Sequence, residues 1–156
     1  MRLVITLGTF DLAHPGHVFL LQQCRRIAGK DGKVIATVNP SAFVEEFKGK
    51  APVMHEDERK AVLREFKSVD EVHTNKYAGD GGKTIDWILQ STYGTYKDYA
   101  EVFLVIGTDW APPKDYYAQL GITQEWLDKR NITMVYIPRI GGFSSTELKQ
   151  RILDNG

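Results

Sequence analysis

The sequence predicts an α/β protein in which one parallel β-sheet is covered by helices on both faces. Five short apolar runs, partly β-branched, alternate along the chain with stretches whose apolar residues recur at helical spacing. Strands that alternate with helices are joined by right-handed crossovers, which makes the sheet parallel. The 156 residues suffice for one domain with a sizeable core. We therefore expect a Rossmann-like, doubly wound, five-stranded sheet in a single domain spanning residues 1–156.

Three of the predicted strands lie in the first half of the chain. RLVITL (2–7) and KVIATV (33–38) are apolar runs typical of buried parallel strands, and VDEVHT (69–74) is a shorter one. A helix begins near Gly16, where apolar residues start to recur at helical spacing: Val18, Leu20, Leu21, Cys24 and Ile27. Residues 55–66 form a second helix with an acidic first turn, whereas residues 39–52 are expected to form a loop.

The second half of the chain repeats this alternation. Residues 83–91 are helical, 101–106 form a strand, 114–130 form one or two short helices, and 132–138 form the last strand before a final helix at 144–153. In a sheet of this kind the ligand lies beyond the carboxyl ends of the strands. Three loops should therefore converge on one crevice: residues 8–17, 107–113 and 138–146.

The composition excludes several classes of function. Twenty basic and twenty acidic residues give a net charge of zero, so no nucleic-acid partner is indicated. A chain of zero net charge could still carry a local basic patch. No run is long enough for a membrane span and no signal-peptide pattern is present, which indicates a cytoplasmic protein. The one cysteine, Cys24, excludes an internal disulfide and is expected to be buried and unreactive.

Residues 8–17, GTFDLAHPGH, carry the strongest functional signal, and we call them the histidine loop. Gly8 ends a strand and Gly16 opens a helix, whose free N–H groups form a site for anions. His14 and His17 would place imidazole donors beside that site. The alternative is one packing histidine and one helix-capping histidine, but two of them at this junction favour phosphate binding.

Residues 138–146, PRIGGFSST, form a second loop before a helix, which we call the glycine loop. Arg139 and the hydroxyls of Ser144, Ser145 and Thr146 could donate to phosphate oxygens. Ser144 with Glu147 also fits a capping box, which explains Ser144 without a ligand. For Ser144 both interpretations stay open.

Two further segments are candidates for ligand binding. In GTDW, which follows the fourth strand, Asp109 can accept from a ligand hydroxyl or serve as an ordinary turn residue. GDGGKT (79–84) is similar to a kinase phosphate loop, but Tyr77 stands where that loop requires glycine. A kinase is therefore disfavoured, although Lys83 could still bind an anion at a helix start.

GTFDLAHPGH resembles the GTFDxxHxGH signature of the cytidylyltransferase-like nucleotidyltransferases. ERKAVL followed by VDEV, then EVFLVIGTDW and VYIPRIGGFSST, fall in the family's order, so the resemblance covers most of the chain. Within the family, the chain most resembles the bacterial glycerol-3-phosphate cytidylyltransferases. The resemblance implies transfer of a cytidylyl group from CTP to a small phosphate monoester, with Mg²⁺ accompanying the triphosphate. It also implies a homodimer.

Site residues follow from the resemblance position by position. His14, His17, Lys50 and Arg139 are implied as catalytic residues. The nucleotide is implied to contact Thr9, Phe10, His14, Pro15, Gly16, His17, Lys50, Asp109, Arg139, Ile140, Gly141, Gly142, Phe143, Ser144, Ser145 and Thr146. The acceptor is implied to contact Asp11, Lys48, Arg59 and Lys83. No residue is implied as a metal ligand.

Two departures from the family pattern bear on the substrate. The usual RTEGIST(S/T) is RIGGFSST here, and the usual GDDW is GTDW. Both changes lie in loops that select the base and the acceptor. An adenylyltransferase that uses ATP with a sugar phosphate or a flavin-type phosphate therefore stays an alternative. A non-catalytic nucleotide-binding module is a second alternative, which the pair of histidines disfavours.

Overall fold

Five strands form the central sheet of the computed structural model, which describes residues 1–91, 99–108 and 115–156. They are β1 (Arg2–Gly8), β2 (Lys33–Val38), β3 (Glu71–Thr74), β4 (Glu101–Gly107) and β5 (Ile132–Ile137). Their order in the sheet is β3-β2-β1-β4-β5, and every neighbouring pair is parallel. This order, with β1 at the centre, confirms the predicted Rossmann-like architecture.

Helices connect the strands. Within the described residues they are α1 (Pro15–Ala28), α2 (Ser41–Lys48), α3 (Glu56–Arg64), α4 (Gly81–Ser91), α5 (Tyr116–Leu120), α6 (Gln124–Lys129) and α7 (Ser145–Asn155). None of the helices that the structure describes is long and apolar enough to cross a membrane.

Alternate strand residues pack on opposite faces of the sheet. Leu3 and Ile5 join a core cluster that includes the buried face of α4. Val4 belongs to another cluster, where it packs with Cys24 from α1. Cys24 is fully buried, and burial raises the pKa of its thiol to about 12, as expected for an unreactive cysteine.

The prediction of a loop at residues 39–52 is wrong, because α2 occupies most of this segment. Val44 is buried on the inner side of the helix, and the rings of Phe43 and Phe47 lie 5.0 Å apart. The helix ends at Gly49, whose φ of 77° is a left-handed conformation that favours glycine. Burial of Val44 and contact between the two rings stabilise a helix despite the charged EEFKGK stretch.

The remaining predicted elements are present with small shifts at their ends. The segment predicted to hold one or two short helices, residues 114–130, contains two, α5 and α6, because Gly121 ends the first with a φ of 67°. Residues 109–114 lie outside the described part of the chain, so the predicted loop at 107–113 is described only as far as Thr108.

Candidate active site

The carboxyl ends of the strands open into a cavity of about 720 Å³. The histidine loop, the glycine loop and the end of α2 all contribute to its wall. Two of the three loops expected to converge therefore meet at one crevice. From the third loop Gly107 lines the cavity, and Asp109 lies outside the described residues.

Most of the predicted site residues line this cavity. They are Thr9, Phe10, Asp11, His14, Gly16, His17, Lys48, Lys50, Arg139, Phe143, Ser144, Ser145 and Thr146. The remaining described candidates do not line it: Pro15, Arg59, Lys83, Ile140, Gly141 and Gly142. Lys83 lies beyond the wall, with its ammonium 4.5 Å from the centre of the Tyr77 ring.

His14 and His17 form a stacked pair at the start of α1. Their ring centroids lie 3.8 Å apart. The N–H of Gly16 donates to His14 Nδ1 at 3.1 Å, and the N–H of His14 donates to His17 Nδ1 at 3.3 Å. Because each Nδ1 accepts a hydrogen bond, the hydrogen of each neutral ring lies on Nε2. These two bonds form a capping box at the start of α1, so the capping alternative is confirmed for His14. The box leaves both Nε2–H groups as donors beyond the backbone of the helix terminus.

Backbone conformation in the histidine loop makes room for this stack. A Cβ on Gly16 would lie 2.8 Å from His14 Cε1 and 2.9 Å from His14 Nδ1, so only glycine allows the ring to occupy this place. Phe10 and Leu12 have left-handed φ angles of 52° and 49°, which are strained for residues other than glycine. Phe10 is nevertheless buried, with its ring 5.4 Å from that of His17.

The surroundings of the histidine pair suppress its protonation. Burial, and then the nearby ring of His14, lower the pKa of His17 to about 3. Burial, and then the guanidinium of Arg139, lower the pKa of His14. Both rings are therefore neutral at pH 7, and each presents a hydrogen-bond donor rather than a positive charge.

Asp11 and Arg59 hold neighbouring segments against the histidine loop. The Asp11 carboxylate accepts the N–H groups of Val53 at 2.8 Å and Met54 at 2.9 Å. Arg59, of which 1% is exposed, donates to the carbonyls of Thr9 and Met54, among others. These contacts give both residues a positioning role, and their assignment to the acceptor stays a prediction.

Positive charge is concentrated around the cavity although the chain as a whole is neutral. Among the described lining residues, four are cationic and Asp11 is the single carboxylate; the cations are Lys48, Lys50, Arg139 and Lys149. Lys48 Nζ lies 3.5 Å from Thr9 Oγ1, and Lys149 Nζ lies 3.8 Å from Asp11 Oδ2. A net charge of zero is compatible with a local basic patch. These four cations form such a patch, which suits a polyanionic ligand.

A second helix terminus faces the cavity at the glycine loop. Ser144 caps α7, because its Oγ accepts the N–H of Glu147 at 3.0 Å. Ser145 donates from Oγ to the carbonyl of Asp11, which ties this terminus to the histidine loop. The capping interpretation of Ser144 is thus confirmed, while Ser144 also lines the cavity.

The sequence reasoning missed several lining residues, including Asn39, Asn75, Gln119 and Lys149. Asn39 and Asn75 follow the carboxyl ends of β2 and β3, so the rule that located the other loops also applies to them. Lys149 lies one helical turn beyond Ser145 on α7, at a spacing that places both on one face.

Comparison with known proteins identifies relatives. A family model described as cytidylyltransferase-like matches residues 5–151. The glycerol-3-phosphate cytidylyltransferase of Bacillus subtilis is 32% identical over 97% of this chain and 98% of that protein. The FAD synthase of Korarchaeum cryptofilum is 28% identical over 97% of this chain and 92% of that protein. Further FAD synthases match over shorter segments, which span about half of those proteins.

A solved structure agrees with the architecture. The lipopolysaccharide core biosynthesis protein of Thermoplasma volcanium superposes with a TM-score of 0.60, at 23% identity, over 90% of this chain and 98% of that one. At this identity the likeness supports the fold and carries no statement about substrates.

Proposed function

The chain belongs to the cytidylyltransferase-like family, and we propose that it transfers the cytidylyl group of CTP to a small phosphate monoester. Glycerol 3-phosphate is the acceptor that we favour, with CDP-glycerol and pyrophosphate as products. The relative from Bacillus subtilis supports this choice, because its similarity extends over almost the whole of both chains.

The observation that carries the proposal is the histidine pair. Two neutral imidazoles, each with its Nδ1 bonded to backbone, present Nε2–H donors at a cavity that the termini of α1 and α7 both reach. Donors held in place before the reaction stabilise the negative charge that develops on phosphate oxygens. Lys48, Lys50 and Arg139 add positive charge around the same cavity.

In the proposed reaction an oxygen of the acceptor phosphate attacks the α-phosphorus of the triphosphate. A bond forms between that oxygen and the α-phosphorus, while the bond to the bridging oxygen of the β-phosphate breaks and pyrophosphate leaves. A phosphate monoester has a second pKa of about 6, so the nucleophile is ionised at neutral pH and needs no general base. His14, His17, Lys50 and Arg139 would hold the triphosphate in line and stabilise the transition state.

Mg²⁺ would accompany the triphosphate and neutralise part of its charge. Within the described residues there is no group of three side chains suited to hold a metal ion. The carboxylate of Asp11, which lines the cavity, already accepts two backbone N–H groups. Phosphate oxygens and water would therefore supply most of the ligands, which suits the coordination preference of Mg²⁺.

A second candidate function is adenylyl transfer from ATP to a flavin-type phosphate. The FAD synthase relative supports it, since its alignment covers this chain as fully as that of the cytidylyltransferase. The glycine loop favours neither base, because RIGGFSST lacks the threonine and glutamate that follow the arginine in the family pattern.

One assay separates these candidates. Pyrophosphate release is measured with four nucleoside triphosphates, each paired with glycerol 3-phosphate, a sugar 1-phosphate or FMN. The proposal predicts fastest release from CTP with glycerol 3-phosphate, whereas fastest release from ATP with FMN would overturn it in favour of FAD synthesis. Nucleotide binding without release from any pair would indicate a non-catalytic module.

A further inference from the structure

A chain of hydrogen bonds links helix α4 to the cavity through three polar side chains. Thr84 Oγ1 is bonded to Asn75 Oδ1, and Asn75 Nδ2 is bonded to Asn39 Oδ1 at 3.0 Å. Thr84 is fully buried and Asn75 is 4% exposed. Asn75 and Asn39 both line the cavity, next to the carboxyl ends of β3 and β2.

The direction of these bonds follows from the first of them. The N–H of Tyr77 donates to Thr84 Oγ1 at 2.9 Å, which leaves the hydroxyl hydrogen of Thr84 for Asn75 Oδ1. With its oxygen occupied in this way, Asn75 must turn its amide nitrogen towards Asn39. Asn39 therefore accepts with its oxygen, and its own NH₂ group ends this series of hydrogen bonds.

Asn39 is held firmly at this position by its backbone. Its N–H donates to the carbonyl of Gly8 at 2.9 Å, and its carbonyl accepts from Arg59 at 2.8 Å. Among the described residues, no hydrogen bond satisfies the NH₂ group of Asn39. Since Asn39 lines the cavity, a ligand oxygen can accept from this group.

The sheet order indicates which substrate supplies that oxygen. The glycine loop follows β5 on one side of β1, whereas Asn39 and Asn75 follow β2 and β3 on the other. A triphosphate bound between the histidine pair and the glycine loop leaves the β2–β3 side for the acceptor. Lys48, which we predict to contact the acceptor, ends α2, the helix that follows β2.

We propose that Asn39 binds the acceptor by donating a hydrogen bond from Nδ2 to one of its oxygens, with Asn75 and Thr84 as positioning residues. This inference rests on the proposed nucleotidyl transfer. Because the NH₂ group of Asn39 is a donor, the acceptor must present a hydroxyl, carbonyl or phosphate oxygen at that point.

Steady-state kinetics of Asn39→Asp test the inference, with the triphosphate and acceptor phosphate that react fastest in the pyrophosphate assay. The substitution replaces the donor with a carboxylate oxygen of similar size. We expect the acceptor KM to rise about tenfold or more, while the KM for the triphosphate stays within about twofold. An acceptor KM that changes no more than the triphosphate KM would overturn the inference.

Thr84 provides a second test that leaves the cavity wall intact. Thr84→Val removes the hydroxyl that orients Asn75, whereas Thr84→Ser keeps it. We expect the valine variant to have a higher acceptor KM than the wild type and the serine variant to have the wild-type value. Loss of packing alone would not produce this difference between the two variants. Where Asn39→Asp fails to fold, equal acceptor KM values for the two Thr84 variants overturn the inference.

The wild-type enzyme separates failure of the inference from failure of the proposed function. A wild-type chain that releases no pyrophosphate with any pair overturns nucleotidyl transfer itself. An active wild-type chain whose Asn39 and Thr84 variants leave the acceptor KM unchanged overturns only the role of Asn39.

Discussion

At the scale of single residues, His14 and His17 present hydrogen-bond donors to the cavity while their rings stay uncharged. Burial keeps both rings neutral, and the backbone N–H groups bonded to Nδ1 set which nitrogen carries the hydrogen. In the proposed reaction the pair would therefore contribute direction rather than charge to phosphate binding. Positive charge comes instead from Lys48, Lys50 and Arg139.

Replacing His17 with asparagine should lower kcat strongly. Asparagine retains an oxygen that can accept the N–H of His14, but it cannot place a donor where Nε2 lies. We expect kcat to fall about 100- to 1,000-fold, the usual cost of removing one preorganised donor. His55→Asn is the matched control, because His55 Nδ1 also accepts a backbone N–H at a helix start and lies outside the cavity. A His17→Asn enzyme as fast as the control would contradict the role of the histidine pair.

His17 should also make stability depend on pH. Its pKa is about 3 in the folded chain and about 6.5 when unfolded. Below about pH 6.5 the unfolded chain binds a proton that the folded chain excludes, so acid weakens the wild type by up to about 1.4 kcal/mol per pH unit for this group. Above that pH the group contributes no pH dependence.

The measurement is the free energy of unfolding in denaturant between about pH 7 and about pH 4. His17→Asn lacks the titrating group, so its stability should fall less steeply than that of the wild type. A constant difference between the two proteins across this range would show that folding does not lower the pKa of His17.

Residue types at the site were easier to predict than residue contacts. The sequence placed Asp11 and Arg59 among the candidates because they match family positions. It could not show that the Asp11 carboxylate binds the N–H groups of Val53 and Met54, or that Arg59 is buried. Those partners lie far along the chain, and only the folded backbone brings them together.

At the scale of elements, α2 carries one of the predicted lysines to the cavity. Lys48 is the last residue of the helix, and Lys50 follows after Gly49. Both lysines line the cavity although they lie outside the sheet. The direction that the chain takes after α2 therefore depends on the left-handed conformation of Gly49.

Gly49→Ala should affect both stability and acceptor binding. At a φ of 77° alanine is strained, so we expect a loss of about 1–2 kcal/mol in the free energy of unfolding. Relief of that strain would distort the end of α2, displace Lys48, and raise the acceptor KM about threefold or more.

Gly29→Ala is the control for Gly49→Ala. Gly29 has the same φ of 77°, and a Cβ there would also meet open space, but it ends α1 outside the cavity wall. It should lose stability without a change in the acceptor KM. Equal acceptor KM values for the two variants would show that the conformation at the end of α2 does not position Lys48.

Elements with a strong apolar pattern were predicted correctly, and α2 shows where this reasoning fails. β1, β2 and β4 are runs of buried apolar residues, so their burial in the sheet determines their structure. In α2 a single residue, Val44, is buried. Its helical pattern is too short to outweigh the charged residues that favoured a loop.

At the scale of the whole molecule, the fold brings positive charge together around the cavity, although the charges of the chain sum to zero. The lining residues include four cations, while the formal net charge of the chain is zero. The same parallel topology brings together loops that are more than a hundred residues apart. Their convergence could be predicted, because it follows from the strand pattern, and the same rule applies to Asn39 and Asn75. The hydrogen bonds that orient these two side chains could not be predicted, because they depend on the folded backbone.

This charge distribution predicts salt-dependent kinetics in a neutral protein. We expect kcat/KM for the triphosphate to fall severalfold between about 50 and about 300 mM NaCl, because ions screen the attraction of the cavity. Lys50→Met should flatten that dependence. Lys129→Met, which removes an exposed lysine of α6 outside the cavity, should keep the slope of the wild type. Identical slopes for both variants would contradict attraction by the cavity cations.

The stacked imidazoles also bear on turnover. A pair of imidazolium rings would attract any passing anion from a distance and would hold the departing pyrophosphate by charge after the reaction. Neutral rings interact only within hydrogen-bond distance. Their hydrogen bonds to the leaving group would break once it has moved by a bond length or two. The charge that remains is on Lys48, Lys50, Arg139 and Lys149. In the proposed reaction, keeping the two histidines unprotonated would thus favour release of the product as well as stabilisation of the transition state.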